Sequence, residues 1–172
     1  WVNKLSPDTL NLQPGTKVTE LEVFLIYLKE QELDERVLRQ IDRELPYHLL
    51  FLLEYEGQYK AVIGYKEAAE AGTAAFKVNR YYATEWGSEA ELRMELCGLD
   101  IDAVYENYVR QIAGAALTGT QGSDLRESVE NAAQQEKLER QLAALDAKIR
   151  KEKQPKKKFE LVQERKRLQE QR

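Results

Sequence analysis

The sequence predicts an α+β fold in which a five-strand mixed sheet with packed helices is followed by a C-terminal helical hairpin or coiled coil. Short apolar or alternating segments interleave with amphipathic segments in the first part of the 172-residue chain, which is typical of strands and helices that share one core. The last part is highly charged and shows only helical periodicity. The predicted body, linker and charged helical hairpin are residues 1–117, 118–123 and 124–172.

The body begins with a short helix, a strand and a longer helix. Ser6-Pro7 marks the start of the short helix, because serine can cap a helix and proline suits its first turn. Residues 17–30 alternate at first and are then apolar on both faces. We expect a strand there whose second half is central in the sheet. Asp34 caps the next helix, which spans 33–46.

The middle of the body contains further strands. The pattern at 48–67 indicates a hairpin around Glu56-Gly57-Gln58. A loop of small residues at 68–75 leads to a strand at 76–86, where β-branched and aromatic residues are frequent. The segment 91–96 alternates between apolar and charged residues, so we expect a half-exposed strand paired with the preceding one.

The clearest helix of the body is predicted at 98–114, with Asp100 as its cap. Apolar residues recur there at helical spacing, so we expect the helix to lie across the sheet. These residues are Ile101, Val104, Tyr105, Tyr108, Val109 and Ile112.

The tail predicts two helices, because Gln154-Pro155 interrupts a charged segment that is otherwise helical. Leucine and isoleucine form a stripe before the break, and a thinner stripe follows it. The thin second stripe predicts that the tail docks on a partner or on another copy of the chain. The predicted partner-binding residues are Leu138, Leu142, Leu145, Ile149, Phe159, Val162 and Leu168 of the tail, with Trp86 of the body.

Charge and composition exclude several classes of protein. The formal net charge is −4, but residues 124–172 carry 14 Lys+Arg against 10 Asp+Glu, a net of +4 that leaves −8 for the remainder. So acidic a body is not suited to coating DNA. A single cysteine and a single histidine exclude a disulfide framework and a dense zinc site. The absence of a signal-peptide pattern or membrane span in this sequence predicts a cytoplasmic protein with no membrane partner, and the initial Trp1 predicts an N-terminus that is trimmed or partly missing.

The stretch "KIRKEKQPKKKFE" at 148–160 is the strongest local charge feature. We name six of its residues the cationic tip: Arg150, Lys151, Lys153, Lys156, Lys157 and Lys158. One interpretation is a nucleic-acid contact that meets phosphate. The favoured interpretation is the solvated bend of a helical hairpin, with lysines at a helix C-terminus where cations suit the helix dipole.

Candidate catalytic groups are sparse. Glu54 and Glu56, followed by Lys60, loosely resemble the acid-and-lysine sets of metal-dependent nucleases, in which carboxylates hold Mg²⁺ and lysine stabilises the activated water. Acids beside a hairpin turn are more often simply solvated. His48 has no identifiable nucleophile or orienting acid, and Cys97 is expected to be a small buried residue. We therefore predict no catalytic residue, no metal and no cofactor.

Several motifs resemble a bacterial family called domain of unknown function 4391. They are "LSPDTLNL", "LPYHLLFLL", "YYATEW", "GLDIDAVYENYVRQIAG" and "LERQLAALDAKIRKEKQ". After "KEKQ" the chain departs from the family pattern, because Pro155 and three lysines stand where a polar-aromatic stretch is usual. The resemblance implies a genomic setting in which the family's genes are often found beside DNA methyltransferases and superfamily-two helicases, in restriction-like and anti-phage loci. The resemblance thus implies an accessory role in DNA defence, with no catalytic residues to transfer.

The resulting expectation is a non-catalytic accessory or scaffold subunit of a bacterial DNA-targeting defence complex. Its helical tail would bind a partner protein, which is the helicase or DNA methyltransferase of the same locus or a second copy through a coiled coil. The protein would contact DNA only as part of that complex. The alternatives are a metal-dependent nuclease with a degenerate acidic site around Glu54 or Glu20, and a DNA-contacting module that uses the cationic tip.

Overall fold

A computed structural model describes residues 1–68, 76–117 and 124–170. The chain divides into two compact units, Trp1–Ala115 and Ala116–Arg172. The predicted linker at 118–123, and nearly all of the predicted loop at 68–75, lie outside the described residues.

The first unit is built on a five-stranded sheet in the order β1-β2-β3-β4-β5. Strands β2 and β3 are parallel, while every other neighbouring pair is antiparallel. The predicted mixed sheet is therefore confirmed. The strands are β1 Asn3–Leu5, β2 Leu21–Tyr27, β3 His48–Tyr55, β4 Gln58–Ala68 and β5 Phe76–Ala83.

The identity of one strand was predicted wrongly. Residues 91–96 form no strand, and the fifth strand is the N-terminal β1. Glu95, in the middle of the predicted strand, satisfies its backbone through a side chain: the Gln111 amide accepts from its N–H at 2.7 Å and donates to its carbonyl at 2.8 Å. The apolar-polar alternation is real, but these backbone groups are held by Gln111 of the helix Ile101–Ala113 rather than by a neighbouring strand.

The burial along β2 also reverses the expectation. Leu21 and Val23 are buried, whereas the chain is half-buried from Phe24 to Ile26 and exposed at Tyr27. Short β1 explains this difference, because it covers the edge of β2 only from Leu21 to Val23. The first half of the strand is therefore the central part.

The β3–β4 hairpin was predicted correctly. Its turn residues Glu56 and Gly57 have φ values of 50° and 78°. Two positive φ values in a two-residue turn define a type I′ hairpin, whose twist matches that of the flanking strands.

Helices pack on the sheet where the sequence predicted them. The capping residues of the short helix α1 (Pro7–Leu10), of α2 (Glu35–Glu44) and of α3 (Ile101–Ala113) are the predicted Ser6, Asp34 and Asp100. All the predicted apolar residues of α3 are buried. Leu38 of α2 joins a separate core cluster made of Leu49, Phe51, Leu53 and Val62 from the sheet.

Asp102 in the first turn of α3 ties that helix to the segment that enters β2. Its carboxylate accepts hydrogen bonds from the backbone N–H groups of Thr16 and Val18, each at 2.7 Å. Lys17 donates its N–H to the same carboxylate at 3.1 Å. Partial burial acts to raise the pKa of Asp102, but these backbone bonds and the Thr16 hydroxyl together outweigh burial and lower that pKa.

The second unit contains the helical hairpin. Helices α4 (Leu125–Lys151) and α5 (Pro155–Gln169) pack against each other. Arg165 of α5 forms an ion pair with Asp146 of α4 at 2.6 Å. Pro155 occupies the first turn of α5, so the predicted break is confirmed. Within the described ranges, no helix has the length and apolar content needed to cross a membrane.

Candidate interaction site

The leucine stripe of α4 lies on the less exposed side of that helix. Leu145 is buried, and the other members, Leu138, Leu142 and Ile149, are half-buried. Their 4-3-4 spacing is the spacing that lets one helix pack along another. Most of this predicted partner-binding stripe is therefore covered within the second unit itself.

The stripe predicted on α5 does not lie on one face. Phe159 and Leu168 are nine positions apart, which places them on opposite sides of a helix with 3.6 residues per turn. Leu161 and Arg165, which the sequence argument omitted, are half-buried with Leu168 at helical spacing. Arg165, which pairs with Asp146, occupies a position where an apolar residue is expected on the side of α5 that faces α4. The apolar pattern alone therefore did not identify that side.

Phe159 and Val162 form an exposed apolar patch on the outer side of α5. Their relative exposures are 64% and 42%. Lys156, Gln163 and Lys166 are exposed and, at helical spacing, adjoin the patch with polar groups. An aromatic side chain with a polar surround is the usual composition of a binding hot spot.

The cationic tip spans the end of the hairpin, and all six of its side chains are exposed. Arg150 and Lys151 lie in the last turn of α4, whereas Lys156 follows Pro155 in the first turn of α5. Among the described residues, none of the six forms an ion pair. Glu152, the acid between them, accepts the backbone N–H of Gln154 at 2.8 Å.

The helix dipole treats the two halves of the tip differently. Cations in the last turn of α4 lie near its carbonyl end, where they are favourable. Lys156, Lys157 and Lys158 lie near the N–H end of α5, where cations are unfavourable. Gln154, the N-cap residue there, makes no side-chain capping bond. The favoured interpretation of the tip as a bend with dipole-suited lysines thus holds for α4 only.

A groove of about 600 Å³ lies beside the tip between α4 and α5. It is lined by three lysines, three glutamates and one leucine, namely Lys148, Lys151, Lys157, Glu152, Glu160, Glu164 and Leu161. The mixed charge makes the groove itself a poor fit for an anionic ligand.

Trp86 of the body has a largely structural position. It is half-buried and packs against the core cluster under α2. The Lys60 ammonium lies 5.7 Å from the centre of its ring. The rest of Trp86 lines a cleft of about 280 Å³ with Tyr59, Arg93 and other residues. Its predicted role in partner binding stays a prediction.

The acid-and-lysine set of the nuclease alternative is not assembled. Glu54 is registered with Tyr59, and Leu53 with Lys60, so Glu54 and Lys60 lie on opposite faces of the hairpin. Glu54 accepts the N–H of Gly57 at 2.7 Å, which is a turn contact. The carboxylate of Glu20 forms an ion pair with the Lys4 ammonium, with 3.5 Å between Oε2 and Nζ. Within the part of the chain that the structure describes, no group of three His, Cys, Asp or Glu residues could hold a metal.

A buried ion pair is the main feature that sequence reasoning missed. Lys66 on β4 and Asp42 on α2 are 2.7 Å apart, and each side chain is 1% exposed. The hydroxyl of Tyr81 donates to Asp42, and the Lys66 ammonium also donates to the carbonyl of Tyr47. Burial lowers the pKa of Lys66, while Asp42 acts against that change. Lys66 lies four residues after buried Val62 on the same strand, so the two side chains share one face of the sheet. That spacing could have identified Lys66 as a residue of the inner face.

His48 and Cys97 take different positions from those expected of a catalytic pair. His48 is buried with its ring centre 4.5 Å from that of Tyr105 in an edge-on arrangement. Burial, with nearby Lys66, lowers the pKa of His48 to about 4. Cys97 is exposed, so the expectation of a buried cysteine was wrong. The following Gly98 has φ +147° and lies against Ala103 and Val104 at the start of α3, where a larger side chain would clash.

Comparison with known proteins yields one match. A family model described as Domain of unknown function (DUF4391) matches residues 1–171. No curated protein and no solved structure matches the chain.

Proposed function

The chain belongs to the family described as Domain of unknown function (DUF4391), and from this premise we propose that it is a non-catalytic accessory or scaffold subunit of a bacterial DNA-targeting defence complex. Its helical tail binds a partner protein in the cytoplasm. The defence setting rests on the family resemblance, which implies restriction-like and anti-phage loci. The partner is then the helicase or DNA methyltransferase of the same locus.

The exposed patch of Phe159 and Val162 is the observation that supports this proposal. The inner side of α5 already packs on α4 through Leu161 and Leu168. The side chain of Phe159, which is 64% exposed, therefore contributes little to packing within the hairpin. Exposed aromatic groups of this kind mark protein interaction sites when they are surrounded by polar residues.

The weakness of α5 as an isolated helix also favours a docked tail. The helix has 15 residues, which is close to the length at which isolated helices are marginal in water. Its first turn contains no acid and three lysines, so capping and dipole effects do not help it. Burial of Phe159 and Val162 against a partner would add apolar stabilisation that α4 does not provide.

Co-purification with the neighbouring helicase and methyltransferase tests the proposal. We expect one of them to associate with the full chain and Phe159→Ser/Val162→Ser to weaken that association by about 30-fold or more, the equivalent of about 2 kcal/mol of lost apolar burial. Val37→Ser is the matched control, since Val37 is an exposed aliphatic residue of the body.

Failure to associate with either neighbour would reject the proposal. Equal affinity of the double variant and the wild type would reject the docking face. A concentration-dependent dimer that the double variant abolishes, measured by light scattering, would replace the heterologous partner with a second copy of the chain.

A further inference from the structure

We propose that the cationic tip binds the phosphate backbone of a nucleic acid, with Lys156, Lys157 and Lys158 as its main contacts. This deepens the proposed function by adding a second ligand to the same tail, and it rests on that function for its biological setting. The partner protein and the nucleic acid use different residues of the tail.

The concentration of unpaired charge at the tip is the first argument. Residues 148–158 hold seven Lys+Arg and one acid, in a chain whose net charge is −4. Elsewhere in the described tail, three arginines pair with nearby acids, in Arg126–Glu130, Arg140–Glu136 and Arg165–Asp146. The tip residues form no such pairs within the described residues, so their charge is available to an outside anion.

The placement of the lysines is the second argument. The other α-helices each have an acid in the first turn and a side-chain cap, as α2 has with Glu35 and Asp34. Helix α5 has neither, and instead presents three lysines. This arrangement is unfavourable for the helix alone, and a bound polyanion would offset it.

Shape and chemistry favour a nucleic acid over other polyanions. The tip is the end of two helices, and an acidic peptide that lay in the adjacent groove would meet Glu152, Glu160 and Glu164 beside the lysines there. A membrane-bound helix needs a continuous apolar face, whereas the outer face of α5 has only Phe159 and Val162 among polar residues. Phosphates spaced along a nucleic-acid strand can meet flexible lysines at this end.

Binding through lysines should be independent of base sequence and dependent on salt. Lysine acts as a point charge on a flexible stem, so it contacts phosphates rather than reading base edges. Six phosphate contacts predict a loss of affinity of about 1,000-fold between 50 and 200 mM salt, and three contacts a loss of about 40-fold.

Fluorescence anisotropy of the full chain with labelled duplex DNA tests the inference. We expect Lys156→Glu/Lys157→Glu/Lys158→Glu to weaken binding by more than 100-fold at 50 mM salt and to flatten the salt dependence. The control Lys29→Glu/Lys137→Glu/Lys166→Glu makes the same charge change at exposed lysines outside the tip, and it should weaken binding by less than about fivefold. Circular dichroism checks folding, and the tip variant should keep its helicity because acids suit the start of α5.

Two results would overturn the inference. Equal loss in both triple variants would show a response to net charge alone. Absence of DNA binding at 50 mM salt, with tight binding to polyglutamate or to vesicles of anionic phospholipid, would assign the tip to those ligands instead. The partner association separates the two proposals, since the tip variant should keep the protein partner and Phe159→Ser/Val162→Ser should keep the DNA.

Discussion

Replacing Lys66 with methionine should destabilise the body through the charge it leaves behind. Asp42 would then be a carboxylate with 1% side-chain exposure and no cation beside it. The group would take up a proton rather than remain charged in the core. Keeping a carboxyl of ordinary pKa near 3.9 protonated at pH 7 costs about 4 kcal/mol, at about 1.4 kcal/mol per pH unit. This value agrees with the roughly 3–5 kcal/mol expected for breaking a buried pair from one side.

The pH dependence of that loss is diagnostic. In the variant the buried carboxyl would be protonated in the folded state and ionised in the unfolded state, so the folded state would bind more protons than the unfolded state at neutral pH. The destabilisation should therefore shrink as pH falls, to about 1.5 kcal/mol at pH 5. Asp42→Asn/Lys66→Met removes both charges and keeps an acceptor for the Tyr81 hydroxyl, so it should recover at least half of the loss.

Urea unfolding followed by circular dichroism at pH 7 and pH 5 measures these effects. With an m-value of about 2 kcal/mol per M, the single variant should shift the midpoint by about 2 M at pH 7. Lys60→Met is the control, because it removes from the same strand a lysine that has no buried carboxylate partner among the described residues. The Lys60 ammonium lies 5.7 Å from the centre of the Trp86 ring, and loss of this cation–π contact should cost about 1 kcal/mol or less. A loss below about 1 kcal/mol for Lys66→Met at pH 7, or a loss that is unchanged at pH 5, would refute the reasoning.

Four further changes have expected outcomes. His48 has a pKa lowered from 6.5 to about 4 by burial, so the unfolded state binds more protons between those values and stability falls as pH drops through that window. His48→Asn should flatten that slope, worth about 3 kcal/mol, in urea titrations run from pH 7 to pH 4. Asp102→Asn should cost about 1–3 kcal/mol in the same unfolding assay, since charged hydrogen bonds to the Thr16 and Val18 backbones become neutral or are lost. Glu56→Asn should raise the melting temperature by relieving the positive φ of 50°, a gain of about 1 kcal/mol. Gln154→Asp should supply the missing cap of α5 and add about 0.5–2 kcal/mol, seen as a higher melting point of the tail in circular dichroism.

Features set by neighbours in sequence were predicted well. Ser6, Asp34 and Asp100 are the N-caps of their helices, and each side chain accepts a backbone N–H two or three residues ahead. The hairpin turn at Glu56-Gly57 and the break at Pro155 are also local. These signals depend on contacts within one turn of chain, so residue type and spacing are sufficient to identify them.

The candidate site was predicted only in part for a related reason. The position of the cationic tip follows from the break between two helices, and the sequence located it. The inner face of α5 could not be located in this way, because Arg165 lies on it only through its ion pair with Asp146 on a different helix. Phe159 was assigned to the same stripe as Leu168, whereas the fold leaves it outside. No feature of α5 alone shows which of its sides meets α4.

By itself, the sequence determined the α+β class, most element positions, the caps and the concentration of charge at one bend. Only the tertiary structure decided that Asn3–Leu5 rather than 91–96 completes the sheet, that Asp42 and Lys66 meet in the core, and that Cys97 faces solvent. The physical reason is the range of the interactions. Caps and turns satisfy backbone groups within a few residues, whereas strand partners and buried charge pairs join residues that are distant in the chain, and many pairings compete for each such group.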